Sequence, residues 1–101
     1  KKYIFKPARN FSIPYFANKT VFRPNLTSEL IVQAIEKNKK KINCKKILDL
    51  GCGSGVIGIA IKKKIFKSSD IYFSDISKNA IRTTEINCKL NKINYIAKTL
   101  I

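Results

Sequence analysis

The chain predicts an α/β fold built on a parallel sheet, and three features of its second half carry that prediction. A short apolar run, Lys46 to Leu50, is followed at once by a glycine cluster. A helical stretch, VIGIAIKKKIF, comes directly behind the glycines. A second apolar run, Ile71 to Ile76, follows a Ser-Ser-Asp turn. Strands that alternate with helices in this way pair in parallel and connect right-handedly. Ser77 is placed to cap a helix predicted to run through Asn91, and NYIAKTLI is predicted as a third strand.

The first half reads differently. From Tyr3 to Phe22 three β-like pieces, YIF, FSIPYF and TVF, are separated by the turn clusters KPARN and ANK. Pro14 confines its strand to an edge, because it has no N–H to give to a ladder. Pro24 and Asn25 then open a predicted helix, on which Leu26, Leu30, Ile31, Ala34 and Ile35 recur at the spacing of one apolar face. The Lys-rich stretch Lys37 to Asn43 closes that helix as a solvated linker.

Composition bounds the function. At 101 residues the chain is one small domain or part of a larger one. No apolar run approaches the roughly 18 residues that span a bilayer, and the basic start lacks the apolar stretch of a secretory signal, so the expected location is cytoplasmic. With no His, the segment supplies no His base and no imidazole metal ligand. Cys44, Cys52 and Cys88 stand alone, without CxxC spacing, and are expected to be small core or near-core thiols; no metal site is expected. The net charge of +15 is compatible with nucleic-acid contact. It also follows from composition, since Ile, Lys and Asn make up 44 of the 101 residues, the signature of an AT-rich genome. The chain contains no Met and opens on Lys1, and is expected to be part of a longer protein.

Chemistry concentrates at the first strand-to-helix junction, Asp49-Leu-Gly51-Cys52-Gly53-Ser-Gly55-Val-Ile-Gly58. Glycines let the backbone approach a ligand, and the helix start behind them offers free N–H groups. Asp75 stands at the end of the next strand, twenty residues beyond Gly55, where a carboxylate can accept from the two hydroxyls of a ribose. Gly53, Gly55 and Gly58 also satisfy the GxGxxG pattern of NAD sites. Asp49 argues against a pyrophosphate there, because like charges at close range repel by about 1 kcal/mol or more even in water. The same carboxylate favours a cationic sulfonium bearing an ammonium group, which points to S-adenosylmethionine (SAM). Asp49 also has a purely structural reading, as a cap of the loop that follows.

ILDLGCGSGVIGIAI resembles motif I of the Rossmann-like class I SAM-dependent methyltransferases, and FSDISKNAIRTTEIN resembles their second strand and helix. Asp75, Ile76, Ser77, Ala80 and Asn87 meet the family pattern, with Ile81 for Leu and Thr84 for Ala. Upstream, VFRPNLTSELIV is similar to the VLIPRPETELLV segment of the release-factor glutamine methyltransferases, the HemK family. Val21, Pro24, Glu29, Leu30 and Val32 match, while Asn25-Leu26 replace Arg-Pro and Thr27-Ser28 replace Glu-Thr. The resemblance begins near Phe11.

The resemblance implies a truncated Rossmann-like fold in which residues 1–43 form a β-hairpin and helix leading into the first part of a SAM-binding domain, residues 44–101. It implies SAM as cofactor, held by Asp49, Gly51, Cys52, Gly53, Gly55, Asp75 and Ile76. The implied reaction is methyl transfer to a glutamine side-chain nitrogen of a release factor, with an RNA base-amino methyltransferase, met by rRNA, tRNA or ribosome, as the alternative. An NAD-binding oxidoreductase half is the reading from another class. The family's catalytic N-P-P-Y signature lies beyond Ile101. In the family's strand order the first strand is central, so an apolar edge is expected to lie open here, and Thr99 falls near a position where the family carries Asp beside the adenine.

Overall fold

The computed structural model describes residues 1–99. The chain opens with an antiparallel hairpin, β1 (Lys2–Ala8) and β2 (Phe11–Phe16), paired through Lys2↔Phe16 and Phe5↔Ile13 and irregular between Phe5 and Ala8. Alternation puts Phe5, Ile13 and Tyr15 on the buried side. Pro14 sits opposite Ile4 in this two-stranded ribbon.

The third β-like piece, TVF, is not a strand. Residues 17–25 run as a loop, in which Val21 is buried, Phe22 is 97% exposed and the Arg23 guanidinium lies 4.0 Å above the Tyr3 ring. Its alternation is real but serves a different end. With no strand partner, the inward residue of the triplet packs against the glycine loop: a Cβ built on Gly53 would lie 3.7 Å from the Val21 Cγ1.

Helix α1 (Leu26–Lys37) starts at a reciprocal cap. Asn25 Oδ1 accepts from the Ser28 N–H at 3.2 Å, and Ser28 Oγ accepts from the Asn25 N–H at 3.2 Å. The predicted apolar face is rotated. Ser28 and Val32 are buried and Ile35 is partly so, whereas Leu26, Leu30, Ile31 and Ala34 are exposed. The helix carries two apolar stripes, and packing on β1 and α2 selects the one centred on Val32.

From there the predicted alternation holds. Strand β3 (Lys46–Leu50), helix α2 (Val56–Lys64), strand β4 (Asp70–Asp75), helix α3 (Lys78–Leu90) and strand β5 (Ile96–Thr99) form two βαβ units, with Ser77 Oγ capping the Ala80 N–H at 3.2 Å. The strands lie in the order β3-β4-β5, all parallel, with Asp49↔Phe73 and Tyr72↔Ile96 in register. Leu100 and Ile101, counted in the predicted third strand, lie outside the described residues.

One face of this sheet packs against α2 and α3, and the hairpin completes the same core: Phe5, Ile13 and Tyr15 cluster with Val32, Ile59, Phe73 and Cys88. The other face carries Leu48 and Leu50, 63% and 65% exposed, with Ile96 in line. Strand β3 forms one edge of the described sheet and β5 the other, with Leu48 and Leu50 exposed on β3.

Helix α3 is fastened to the hairpin by two buried amides. Asn87, 0% exposed, accepts from the Phe16 N–H and donates through Nδ2 to the carbonyls of Phe16 at 2.9 Å and Ser54 at 2.7 Å. One turn on, Asn91 donates to the carbonyls of Pro14 and Asn87, each at 2.9 Å. Among the described residues no buried side-chain nitrogen or oxygen is left unpaired. Replacing Asn87 with Ala orphans a backbone N–H and two carbonyls, and each buried unpaired group costs ~1–3 kcal/mol. The variant should lose about 2–4 kcal/mol in urea unfolding. A loss under 0.5 kcal/mol would show that water replaces the amide freely.

Candidate functional site

Strands β3 and β4 end side by side, and their parallel register brings the glycine loop against the end of β4. The N–H groups of Gly51 and Cys52 both donate to the Ser74 carbonyl, at 2.7 and 3.0 Å, and the Gly55 N–H closes a turn onto the Cys52 carbonyl at 2.8 Å. Gly51 and Gly55 adopt φ of +71° and +82°, a region that penalises a side chain. Their surroundings differ. A Cβ on Gly51 would meet nothing within 4 Å, so that residue presents bare backbone to open space. A Cβ on Gly55 would lie 2.9 Å from Thr84 Cγ2, so that glycine seats the loop on α3.

Asp75 braces the same loop. Its Oδ2 accepts from the Gly53 N–H at 3.1 Å and its Oδ1 from the Ser77 N–H at 2.9 Å. A carboxylate offers about four lone-pair positions, so both oxygens keep capacity for a further donor. Thr84 fixes the loop from beneath, donating to the Gly53 carbonyl at 2.9 Å and standing 3.2 Å from the Cys52 Sγ. Burial pushes the Cys52 thiol up to about 11, which leaves it protonated and unreactive at neutral pH.

Together these residues wall a cleft of about 350 Å³ at the carboxyl ends of the strands, the place where open α/β sheets hold ligands. Gly51, Cys52, Gly53 and Asp75 line it. The 20–25 segment lines the opposite side through Thr20, Phe22 and Asn25. That segment was not singled out as a site by sequence reasoning; Phe22, a fully exposed phenylalanine ahead of a helix cap, is visible only once the fold places it at the rim. Asp49, Gly55 and Ile76 are not in the lining. Ile76 is 80% exposed next to Asp75. A larger hollow, about 470 Å³, lies at the other end of the sheet, lined by Lys62, Ser69 and Tyr95, remote from the glycine loop.

Asp49 points beneath the loop. Its Oδ2 accepts from the Gly58 N–H at 3.1 Å, pairing one of the orphan donors in the first turn of α2. Burial raises its pKa to about 6; the Gly58 hydrogen bond opposes that rise and the charge of Asp75 adds to it. Gly58 is what allows the contact, since its Cβ would lie 2.7 Å from the Phe73 ring and 2.9 Å from Asp49 Oδ2. Of the four glycines, two serve the crossing of helix, loop and sheet (Gly55 and Gly58), and two lie on the cleft wall (Gly51 and Gly53).

Residues 16–100 match the model of the methyltransferase small domain. The chain belongs to that family. Among curated relatives of the methyltransferase, the release factor glutamine methyltransferase of Dictyoglomus turgidum is 33% identical over 92 residues, covering 91% of this chain and 32% of the relative. The ribosomal RNA large subunit methyltransferase G of Shewanella woodyi is 35% identical, covering 85% of this chain and 18% of the relative. The chain thus spans about a third or less of the curated relatives it matches. Among solved structures, the Pyrococcus abyssi tRNA (uracil-54, C5)-methyltransferase, in complex with S-adenosyl-L-homocysteine, superposes with a TM-score of 0.68 at 20% identity, over 88% of this chain and 22% of that one. The Rossmann-like fold expected from the motif is the fold observed, and SAM is the family's cofactor.

Two predictions follow from the underside of the loop. In Gly58→Ala, helix propensity gains about 1 kcal/mol, but the new methyl overlaps the Phe73 ring and the Asp49 carboxylate. Overpacking of this kind costs ~1–3 kcal/mol, so the variant should be less stable on denaturant unfolding; a rise in the midpoint would overturn the packing role. For Asp49, the folded pKa of about 6 lies above the 3.8 of an ordinary aspartate. The native state therefore binds the extra proton, and its contribution is fully present below pH 4 and lost as pH rises through 6. Asp49→Asn should match the parent's unfolding free energy near pH 4 and exceed it at pH 7.5, by an amount on the order of 1–3 kcal/mol. An equal gap at both pH values would refute the burial effect.

Proposed function

We propose that this chain is the cofactor-binding part of an enzyme that transfers a methyl group from SAM to a glutamine side-chain nitrogen of a peptide chain release factor. The observation that carries the cofactor half of this reading is the pairing across one cleft of Gly51, with open space where a Cβ would be, and Asp75, both of whose oxygens retain acceptor capacity. Backbone at Gly51, Cys52 and Gly53 takes the methionine end. Asp75 takes the ribose hydroxyls, with Ile76 offering an apolar surface beside it. Asp49 acts from behind the loop: it holds the start of α2 through Gly58 and contributes a negative field that favours a ligand ammonium. These residues bind and orient; SAM, when bound, supplies an activated methyl on a positive sulfur. The exchange then needs positioning of the acceptor nitrogen and loss of its proton, more than a strong base.

The acceptor assignment leans on the relatives named release factor glutamine methyltransferase, which align along nearly the whole chain. The Shewanella relatives, named for ribosomal RNA, favour a second reading, a base amino group of rRNA. Residues 44–101 form the start of the cofactor domain in both readings, and residues 1–43 its lead-in.

Incubation of the full-length protein with methyl-labelled SAM and either release factor or deproteinised rRNA separates the two readings, label on a release-factor glutamine being the expected outcome. Label on rRNA alone would replace the acceptor assignment. Asp75→Ala should abolish measurable SAM binding by calorimetry while the variant still melts cooperatively. Affinity within threefold of the parent would remove Asp75 from the ribose role.

A further inference from the structure

Charge is sorted along the strand axis of this molecule. Helices α1, α2 and α3 all end at the amino-terminal end of the parallel sheet, opposite the cleft, and the polar contacts there knit those ends together. Asp70 N–H donates to the Lys45 carbonyl at 3.0 Å, Ser69 Oγ to the Cys44 carbonyl at 2.7 Å, Lys62 Nζ to the Ser69 carbonyl, and Lys63 Nζ to Asn91 Oδ1 at 3.5 Å. Around this knot lie twelve of the chain's 18 lysines, at positions 37, 39–41, 45, 46, 62–64, 67, 89 and 92. Nine of the twelve are exposed, the exceptions being Lys62, Lys63 and Lys64. Three of the six acidic residues lie at or beside the pole: Glu36, paired with Lys64 at 3.0 Å, Asp70, and Glu85, whose carboxylate accepts from the Tyr95 hydroxyl at 3.4 Å. Asp49 and Asp75 stand at the other end of their strands.

Compositional bias toward Lys enriches the whole surface and gives no reason for this sorting. The helix dipole favours a cation in each last turn, which accounts for Lys37, Lys64 and Lys89. It leaves the run Lys39–Lys41 and Lys45, Lys46 and Lys67 without a structural role. The same pole contains the 470 Å³ hollow between the starts of β4 and β5, where Tyr72 and Tyr95 stand beside Lys62. Lysines around an aromatic-lined hollow are the combination that binds single-stranded nucleic acid, by phosphate contact and base stacking. A membrane surface calls for an apolar wedge among the lysines, and here Ile42, 41% exposed, interrupts the run while Ile96, 50% exposed, lies in the wall of the hollow, which makes no continuous wedge.

We infer that this lysine pole is a docking surface for single-stranded RNA, separate from the cofactor cleft and leaving that cleft open. RNA is chosen over DNA because relatives of the chain are named for ribosomal RNA. The choice of RNA rests on the same relatives as the rRNA reading of the acceptor, but the surface is tested by binding without SAM, so its failure leaves the cofactor and release-factor reading standing.

The test is fluorescence anisotropy of a labelled 20-nucleotide single-stranded RNA with the full-length protein across a salt series. Lys39→Glu/Lys40→Glu/Lys41→Glu should weaken binding at least tenfold at 100 mM salt and lower the magnitude of the log–log salt slope by about 2, as loss of three phosphate contacts at ~0.7 each requires. Tyr95→Ala should weaken binding about fivefold or more with the slope unchanged, since stacking releases no counterions. The control Lys2→Glu/Lys19→Glu/Lys78→Glu, equal in charge change but at the cleft end, where Lys2 pairs with Phe16, Lys19 lies in the 17–25 loop and Lys78 opens α3, should weaken binding less than threefold. Equal losses in both triple variants would show a net-charge effect and overturn the site. So would single-stranded DNA of the same sequence binding tenfold more tightly than RNA, or no RNA binding below about 10 μM. Unchanged melting of each variant separates these outcomes from misfolding.

Discussion

The geometry of the cleft depends on one carboxamide. Asn87 lies in the last turn of α3, fully buried, and its side chain holds β2 through both the N–H and the carbonyl of Phe16 while holding the glycine loop through the carbonyl of Ser54. A leucine of similar size would fill the space yet leave three backbone groups unpaired. In a low-dielectric interior such groups are expensive, and a fully satisfied amide specifies one arrangement of the elements around it. The hairpin is thereby more than an appendage to the sheet. Its position is set by the same residue that sets the loop, so Val21 and the 20–25 segment reach the cleft in a fixed relation to Gly53.

The sheet itself is built for more than it buries here. Leu48, Leu50 and Ile96 line up on one face and remain half or more exposed, beside a β3 edge that has no strand partner among the described residues. On the covered face β4 buries Ile71 and Phe73 almost completely, and β3 itself packs Ile47 against the core. Apolar residues on both faces of a parallel strand are the mark of a sheet covered on both sides. That pattern agrees with a chain spanning about a third of its release-factor relatives.

Much of this was legible in the residues. The parallel βαβ order, the Ser77 cap and the place of Gly51, Gly53 and Asp75 beside one cleft follow from local chemistry: glycine at a tight turn, a hydroxyl before a helix, a carboxylate at a strand end. What could not be read was the choice among equivalent local patterns. Helix α1 has apolar residues enough for two faces, and only the packing of β1 and α2 decides that Val32 points inward and Leu30 does not. TVF alternates like a strand but lacks a neighbour, so Val21 is spent on the loop. The partner of Asp49 was also hidden, because Gly58 is nine residues away and reaches it only through the left-handed turn at Gly55.

The two carboxylates at the strand ends begin as the same chemistry and are separated by surroundings. Asp75 stands on the cleft wall with two backbone donors, one per oxygen, and keeps room for more. Asp49 lies under the loop with a single donor, and burial outweighs that hydrogen bond, lifting its pKa to about 6. At neutral pH it is mostly ionised but poorly compensated, and the charge of Asp75 raises the cost further. A cation entering the cleft relieves both. On the proposed reading the ammonium and sulfonium of SAM are such cations, so part of the cofactor's affinity is stability that the empty loop forgoes. A pyrophosphate would instead add charge of the same sign to the pair. This electrostatic asymmetry, more than the glycine spacing, separates the SAM and dinucleotide readings of one GxGxxG pattern, because the glycines are satisfied equally well by either ligand.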